Sequence, residues 1–419
     1  MGLRTNVALY SVGNLVVALV PFILIPFMTN VFDPETYGLI TMFQVIVGLL
    51  SIVVGLSMNG PLLRFNYNKN LTEKGIVNYF YNSWLIYIVS VLLVLFMIYL
   101  YGARIANFIE IQERLIWLSL IAATLYYPIK ILLGQLQVKE EAKKYVSIQL
   151  ILSFMFILTF FAFYYLLYQD LRSRIYSYIF TIVPVCIFSI FLLRRYNCLN
   201  LGKYSFSTVK DILLQSVGIL PHLLGVYIIS FVDRFIANKY LGTEAVGILM
   251  LSIQISLVLN IIFDGINKAL NPRLFRALRD DDYTEKLLFA RGTLVLVILL
   301  ILCSVPFSYI SSKLILLFTD SSYHYAAEIV KYSIVTQLIN GIYLAFVNYI
   351  VYSKKLWLLS VVSIITGVGA AVLSVIYVEQ YGLVAIVYSS MLAAIIRTIS
   401  AVVISTKLVK MPWNMVFKV

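Results

Sequence analysis

Long apolar runs alternate with short polar breaks from one end of this 419-residue chain to the other. Each run is long enough to cross a hydrocarbon core of about 30 Å as a helix. The pattern predicts twelve transmembrane helices, over residues 7–31, 38–62, 79–101, 114–136, 146–168, 175–193, 212–237, 246–271, 288–310, 328–351, 356–378 and 382–406. The first run is of full span length and has no small-residue cleavage site after it, so it is expected to stay as a helix. No break is long enough for a soluble domain. The longest, 194–211, lies between the sixth and seventh runs, which predicts a cytoplasmic linker joining two six-helix bundles, 1–193 and 212–419.

The polar breaks repeat. Phe32-Asp33-Pro34-Glu35-Thr36-Tyr37-Gly38 and Leu241-Gly242-Thr243-Glu244-Ala245-Val246-Gly247 align Glu35 with Glu244 and Gly38 with Gly247, both at an offset of 209. Ser11-Val12-Gly13 resembles Ser216-Val217-Gly218 at an offset of 205, one helical turn different. Span two ends Asn59-Gly60-Pro61-Leu62-Leu63-Arg64, and span eight ends Asn271-Pro272-Arg273-Leu274-Phe275-Arg276. A third copy of the hairpin pattern is read at Glu379-Gln380-Tyr381-Gly382-Leu383. The expected fold is therefore an all-α polytopic membrane protein of about twelve helices. Its two six-helix bundles enter the membrane from the same side, related by a pseudo-two-fold axis along the membrane normal. Duplicated membrane bundles of this kind point to transport.

Composition agrees. Hydrophobic residues make up 62% of the chain and charged residues 12%, too few to cover a soluble surface. A net charge of +13 would suggest nucleic acid in a soluble chain, but here the basic residues sort by loop. Alternate loops hold twenty lysines and arginines on one side and six on the other, which places both termini in the cytoplasm and removes the need for a nucleic-acid partner. Cys186, Cys198 and Cys303 have no metal or redox spacing and are read as unpaired. No phosphate-binding glycine loop, H-E-x-x-H pair or nucleophile elbow occurs, so neither catalysis nor a metal or other cofactor is expected. His222, beside Pro221 in span seven, is read as a packing residue rather than a proton relay. Most of the 31 tyrosines, with Tyr164, Tyr165, Tyr168 and Tyr178 as examples, are assigned to aromatic belts at the membrane interfaces.

Charge inside a span costs about 2.5–3.5 kcal/mol on insertion scales and so calls for a purpose. The basic residues within the runs are Lys130, Arg234, Lys268, Arg291, Lys331 and Arg397, with Arg291 near an interface; the acids are Asp233 and Asp264. Arg397 is placed deepest and is least explained by snorkelling, a reading open to Lys130 and Lys268. Asp264 and Lys268 stand four apart, acid first, and are expected to pair. Asp233 and Arg234 are adjacent, are assigned to different helix faces, and are not expected to neutralise each other. The interior is thus biased cationic. Arg234, Arg397, Lys130, Lys268 and Lys331 are the candidate substrate-binding residues, suited to phosphate or pyrophosphate. Asp233, Asp264, Glu35 and Arg64 are candidates for gating or coupling. Prolines within spans, among them Pro21, Pro26, Pro128, Pro184, Pro221 and Pro306, permit bending of the halves.

Pro34-Glu35-Thr36-Tyr37-Gly38-Leu39, Asn59-Gly60-Pro61-Leu62-Leu63-Arg64, Val232-Asp233-Arg234-Phe235-Ile236 and Ile266-Asn267-Lys268-Ala269-Leu270-Asn271-Pro272 together resemble the polysaccharide transporter family of Wzx-type O-antigen and capsule repeat-unit flippases. That family sits in the multidrug/oligosaccharidyl-lipid/polysaccharide exporter superfamily, and the resemblance runs over essentially the whole chain. It implies movement of an undecaprenyl-pyrophosphate-linked oligosaccharide across the bacterial inner membrane, for lipopolysaccharide or capsule synthesis. It further implies a V-shaped cationic cavity, membrane lipid as context and polysaccharide polymerase machinery as a partner. Arg234 matches the family's Asp-Arg pair. A monomer would suffice. The competing readings are a multidrug or toxin extruder of the same superfamily, and an integral-membrane polysaccharide polymerase or glycosyltransferase. Against the first, span one contains no Asp or Glu; against the second, the external loops are short.

Overall fold

The structure is a computed structural model that describes residues 3–66, 72–353 and 355–415. Lys69, Lys354 and Lys418 lie outside these, as does the side chain of Lys268. Among the described residues, twelve helices are long and apolar enough to cross a membrane, matching the twelve predicted spans. In chain order the helices are α1 (Leu3–Val31), α2 (Pro34–Gly55), α3 (Asn59–Phe65), α4 (Glu73–Phe108), α5 (Glu113–Val138), α6 (Ala142–Leu166) and α7 (Leu171–Arg195). They continue as α8 (Phe206–Leu241), α9 (Thr243–Arg279), α10 (Tyr283–Phe318), α11 (Tyr325–Tyr352), α12 (Leu356–Tyr381) and α13 (Leu383–Leu408). In lipid each backbone N–H and C=O must be met within its own segment, so long apolar sequence has little choice but helix.

The polar breaks supply the helix starts. Asp33 Oδ1 accepts from Thr36 N at 2.9 Å, with Pro34 at the first helical position. Thr72, Asp170 and Asp282 cap α4, α7 and α10 in the same way. Two features depart from the hydropathy reading. First, α4, α8 and α10 have 36 residues and α9 has 37. At about 1.5 Å per residue they outrun a hydrocarbon core of about 30 Å and continue into the polar sequence beyond it. Second, span two is not continuous. Leu56 and Ser57 take left-handed backbone angles (φ 44 and 58), and helix resumes only at Asn59.

By compactness the chain falls into two units that alternate along the sequence. One contains residues up to Ile23 and Leu39–Phe231; the other contains Leu24–Gly38 and everything from Val232 onward. The first unit contains an aromatic cluster in which Tyr87 stacks on Tyr127 at 4.1 Å and Trp84 meets both edge-on. Tyr178, assigned above to an interface belt, is half-buried there instead, 5.8 Å from Phe43. Hydropathy cannot distinguish a tyrosine at an interface from one whose ring is packed inside. The second unit has a core of Leu274, Leu278, Phe346, Tyr349, Ile350 and Ala401, against which Trp413 packs. Large apolar side chains such as Leu302 (65% exposed) and Val305 (73%) on α10 point outward, as expected where the surrounding solvent is lipid.

The two repeated hairpins meet inside the second unit. Gly38 and Gly247 lie within α2 and α9, each against the start of the other helix. A Cβ on Gly38 would collide with the Thr243 carbonyl oxygen, and one on Gly247 with the Pro34 carbonyl oxygen. Pro34 and Thr243 are themselves 209 apart, so the contact maps onto itself when the repeats are exchanged. A self-complementary contact of this kind is what two-fold relation produces. Tyr37 extends it by donating to Gln254 Oε1 at 2.6 Å. The third copy at Gly382 is not equivalent. Gly382 (φ 57) forms the turn between α12 and α13, where its missing Cβ serves the backbone angle rather than close packing.

The connection after α7 is clamped to the first unit. Asn82, fully buried, accepts from Ser205 N at 3.0 Å and donates to the Lys203 carbonyl at 2.9 Å. Asn78 Oδ1 accepts from Lys203 N at 2.8 Å, and Trp84 Nε1 donates to the Cys198 carbonyl at 2.9 Å. Burial pushes the Cys198 thiol up to about 12, despite the nearby Lys139, so this cysteine is an unreactive packing residue. At the same end Tyr196 donates to Glu141 at 2.7 Å and Lys144 pairs with that carboxylate at 2.6 Å. Partial burial favours the neutral carboxyl at Glu141, but hydrogen bonds from Lys144 and Tyr196 outweigh it and hold the group below its ordinary range. Asn82→Ala should strand one N–H and one C=O, at a cost of about 1–3 kcal/mol. The expected result is a lower melting temperature in detergent and faster tryptic cleavage at Lys203; unchanged cleavage would show that the clamp is held by other contacts.

Candidate substrate site

Arg234 lies on α8 with 6% of its surface exposed. Its Nη1 contacts Asp233 Oδ1 at 2.6 Å, which corrects the expectation that these neighbours do not neutralise each other. The Cα–Cβ vectors do diverge. The guanidinium stem is nevertheless long enough to fold back one residue, and a half-buried carboxylate in a low-dielectric setting makes that worthwhile.

Arg397 is the opposite case. It sits mid-way along α13 and is half-buried, and it meets no carboxylate among the described residues. Its Nη2 donates to Asn340 Oδ1 on α11 at 2.6 Å, its guanidinium lies 4.9 Å from the centre of the Tyr343 ring, and its Nε is buried without a partner. Every group holding this cation is neutral, so its charge is not cancelled.

The other candidates are more scattered. Lys130 follows the fully buried Ile129 on α5, yet its own side chain is exposed and makes no hydrogen bond or ion pair among the described residues. Lys331, exposed on α11, rests 5.0 Å from the Tyr332 ring centre. Asp264 is half-buried on α9; its pairing with Lys268 falls outside the described side chains. Glu35, in the first turn of α2, and Arg64, on α3, are both exposed. His222 is exposed on α8, not packed, because the apolar composition around it says nothing of which face is covered. No group of three or more His, Cys, Asp or Glu among the described residues could hold a metal ion, and the three cysteines are free.

The pattern of charges does not reveal the amides. Helices α9 and α11 run parallel and are joined by a ladder of polar contacts: Ser252 with Ser333 at 2.8 Å, Asn260 with Gln337 at 3.3 Å, and Asn267 with Asn348 at 2.5 Å. Asn340 also donates to Gln337 at 3.2 Å, which links the ladder to Arg397. The signal was present in the sequence. Ser252, Asn260 and Asn267 recur every seven or eight residues on one face of an apolar run, the spacing of an interhelical seam.

A profile of the polysaccharide biosynthesis protein family matches residues 3–278, well over half of the chain. The chain belongs to that family. It is 26% identical over 280 residues to Lsg locus putative protein 1 of Haemophilus influenzae, an alignment covering 65% of this chain and 65% of that protein's length. A second membrane protein of the same organism is 25% identical over 385 residues, covering 88% and 90%. Among solved structures, the lipid II flippase MurJ in an inward closed conformation superposes with a TM-score of 0.69 at 13% identity, over 96% of this chain and 87% of that one. An inward-facing multidrug resistance MATE transporter of the MOP superfamily gives 0.66 at 14%, over 97% and 96%. These likenesses establish a fold shared by flippases and drug exporters, with two pseudo-symmetric lobes.

Proposed function

We propose that this chain is a flippase. It carries an undecaprenyl-pyrophosphate-linked oligosaccharide repeat unit from the inner to the outer leaflet of the bacterial cytoplasmic membrane, by alternating access, for O-antigen, capsule or related polysaccharide synthesis. The observation that carries this reading is Arg397, a mid-membrane cation surrounded by neutral partners. A charge left uncancelled at a cost of about 2.5–3.5 kcal/mol is suited to an anion that arrives and departs. Arg234, Lys130, Lys268 and Lys331 add to the cationic bias, with Asp233, Asp264, Glu35 and Arg64 serving gating or coupling. In this reading the six-helix halves, 1–193 and 212–419 with 194–211 between them, move against each other during transport, with both termini in the cytoplasm. One chain suffices, because the symmetric helix contact is internal. A polymerase that consumes the flipped unit is the natural partner.

Export of organic cations is disfavoured by α1, which carries no carboxylate along Leu3–Val31. The deciding test is a deletion strain in which the leaflet occupied by polyprenyl-linked oligosaccharide is probed. Build-up on the cytoplasmic side, reversed by the wild-type gene, is expected. Normal lipid-linked glycan with altered sensitivity to cationic drugs would replace this reading with the extruder.

A further inference from the structure

Arginine can only donate hydrogen bonds, so the Asn340 atom 2.6 Å from Arg397 Nη2 must be the carbonyl oxygen. That orientation turns Asn340 Nδ2 away from Arg397, toward Gln337 Oε1 at 3.2 Å. Asn260 Nδ2 donates to the same oxygen at 3.3 Å. The Gln337 oxygen is thereby occupied, and its Nε2 has no protein partner among the described residues. The cation thus sets the direction of the amides on α9 and α11 beside it. Among the groups left over beside Arg397 and Gln337 are two donors, the buried Arg397 Nε and the Gln337 Nε2. Arg397, Tyr343, Asn340, Gln337 and Asn260 are all half-buried, so a face of the cluster stays open.

The choice of residue at 340 is informative. Aspartate has the same shape as asparagine and would be the stronger partner for a purely structural arginine. The chain instead supplies a neutral acceptor. We propose that Asn340 and Gln337 are positioning residues that orient Arg397 without neutralising it, so that the guanidinium and the Gln337 amide together take an oxyanion. This rests on the flippase reading above and deepens it. The oxyanion is either the diphosphate of the lipid carrier or the carboxylate of an acidic sugar.

The test uses the full-length protein in lipid nanodiscs, with inorganic pyrophosphate and glucuronate as separate probes. Binding is read by titration and folding by thermal melting. Asn340→Asp is expected to keep or raise the melting temperature while weakening oxyanion binding by about a hundredfold, since a carboxylate at that distance competes directly for the guanidinium. Asn340→Ser, a neutral acceptor, should weaken it by less than about tenfold. A preference for pyrophosphate or for glucuronate assigns the source of the oxyanion. Wild-type affinity in Asn340→Asp would overturn the proposal. Should that variant fail to accumulate, Gln337→Glu carries the same test one residue further along the relay, with wild-type affinity again overturning it. Loss of binding in Arg397→Ala but not in either acidic variant would sink the relay and leave the flippase reading standing. If Arg397→Ala also bound normally, the anion-binding role of Arg397 itself would fail.

Discussion

Arg397→Ala should abolish complementation of a flippase-null strain while leaving the protein's level and melting temperature unchanged or slightly raised. The two halves of this expectation come from one feature. Arg397 is held by an amide oxygen and an aromatic face, not by a counter-ion. Its removal strands no opposite charge and relieves a cost of about 2.5–3.5 kcal/mol of unneutralised charge within the membrane. Stability should therefore not suffer, and the loss should be functional alone. Arg397→Lys keeps the charge but gives up the planar fork, so partial activity is expected. Arg234→Ala is a poorer probe, because it strands Asp233, which the native pair holds at 2.6 Å, and would confound stability with function. Full activity of Arg397→Ala at normal protein level would remove the central support for an anionic substrate.

The second large effect is expected at the paired glycines. Gly38→Ala and Gly247→Ala each place a methyl against a backbone carbonyl, of Thr243 and Pro34 respectively. A flexible side chain could swing away, but a carbonyl in the first turn of a helix cannot. The helices must then separate, at a cost of about 1–3 kcal/mol per substitution. Valine at either site should leave too little folded protein to complement. The two alanine variants open the same contact from opposite sides, so their effects should not add. The double variant is expected to melt close to the worse of the two singles, a coupling characteristic of residues in one contact. Additive losses would mean that the glycines pack independently and that the repeat contact is not the shared constraint. Melting in detergent, with complementation alongside, decides between these outcomes.

Much of this molecule is legible in one dimension. Twelve apolar runs became twelve helices because a membrane span must satisfy its own backbone, a requirement met locally and therefore visible locally. Asp33-Pro34, Thr72, Asp170 and Asp282 mark helix starts for the same reason, since a cap acts within three residues. The offset of 209 was readable too, and it identified both glycines that meet. The family membership agrees with motifs spread through the chain.

Whatever depended on how one helix is rotated against another was settled only in three dimensions. Hydropathy could not say that Arg234 folds back onto Asp233 while Arg397 finds an amide, because both are simply charged residues in apolar runs. Nor could it separate Gly38, which admits a neighbouring backbone, from Gly382, which turns a corner. The interruption at Leu56 and Ser57 and the clamp of Asn82 on residues 203–205 are likewise invisible to a pattern of apolar and polar positions. That a segment forms a span depends on its local sequence alone, and the sequence determined it. Pairing between Asn260 on α9, Asn340 on α11 and Arg397 on α13 depends on the register of three helices packed together, and only the tertiary structure decides that.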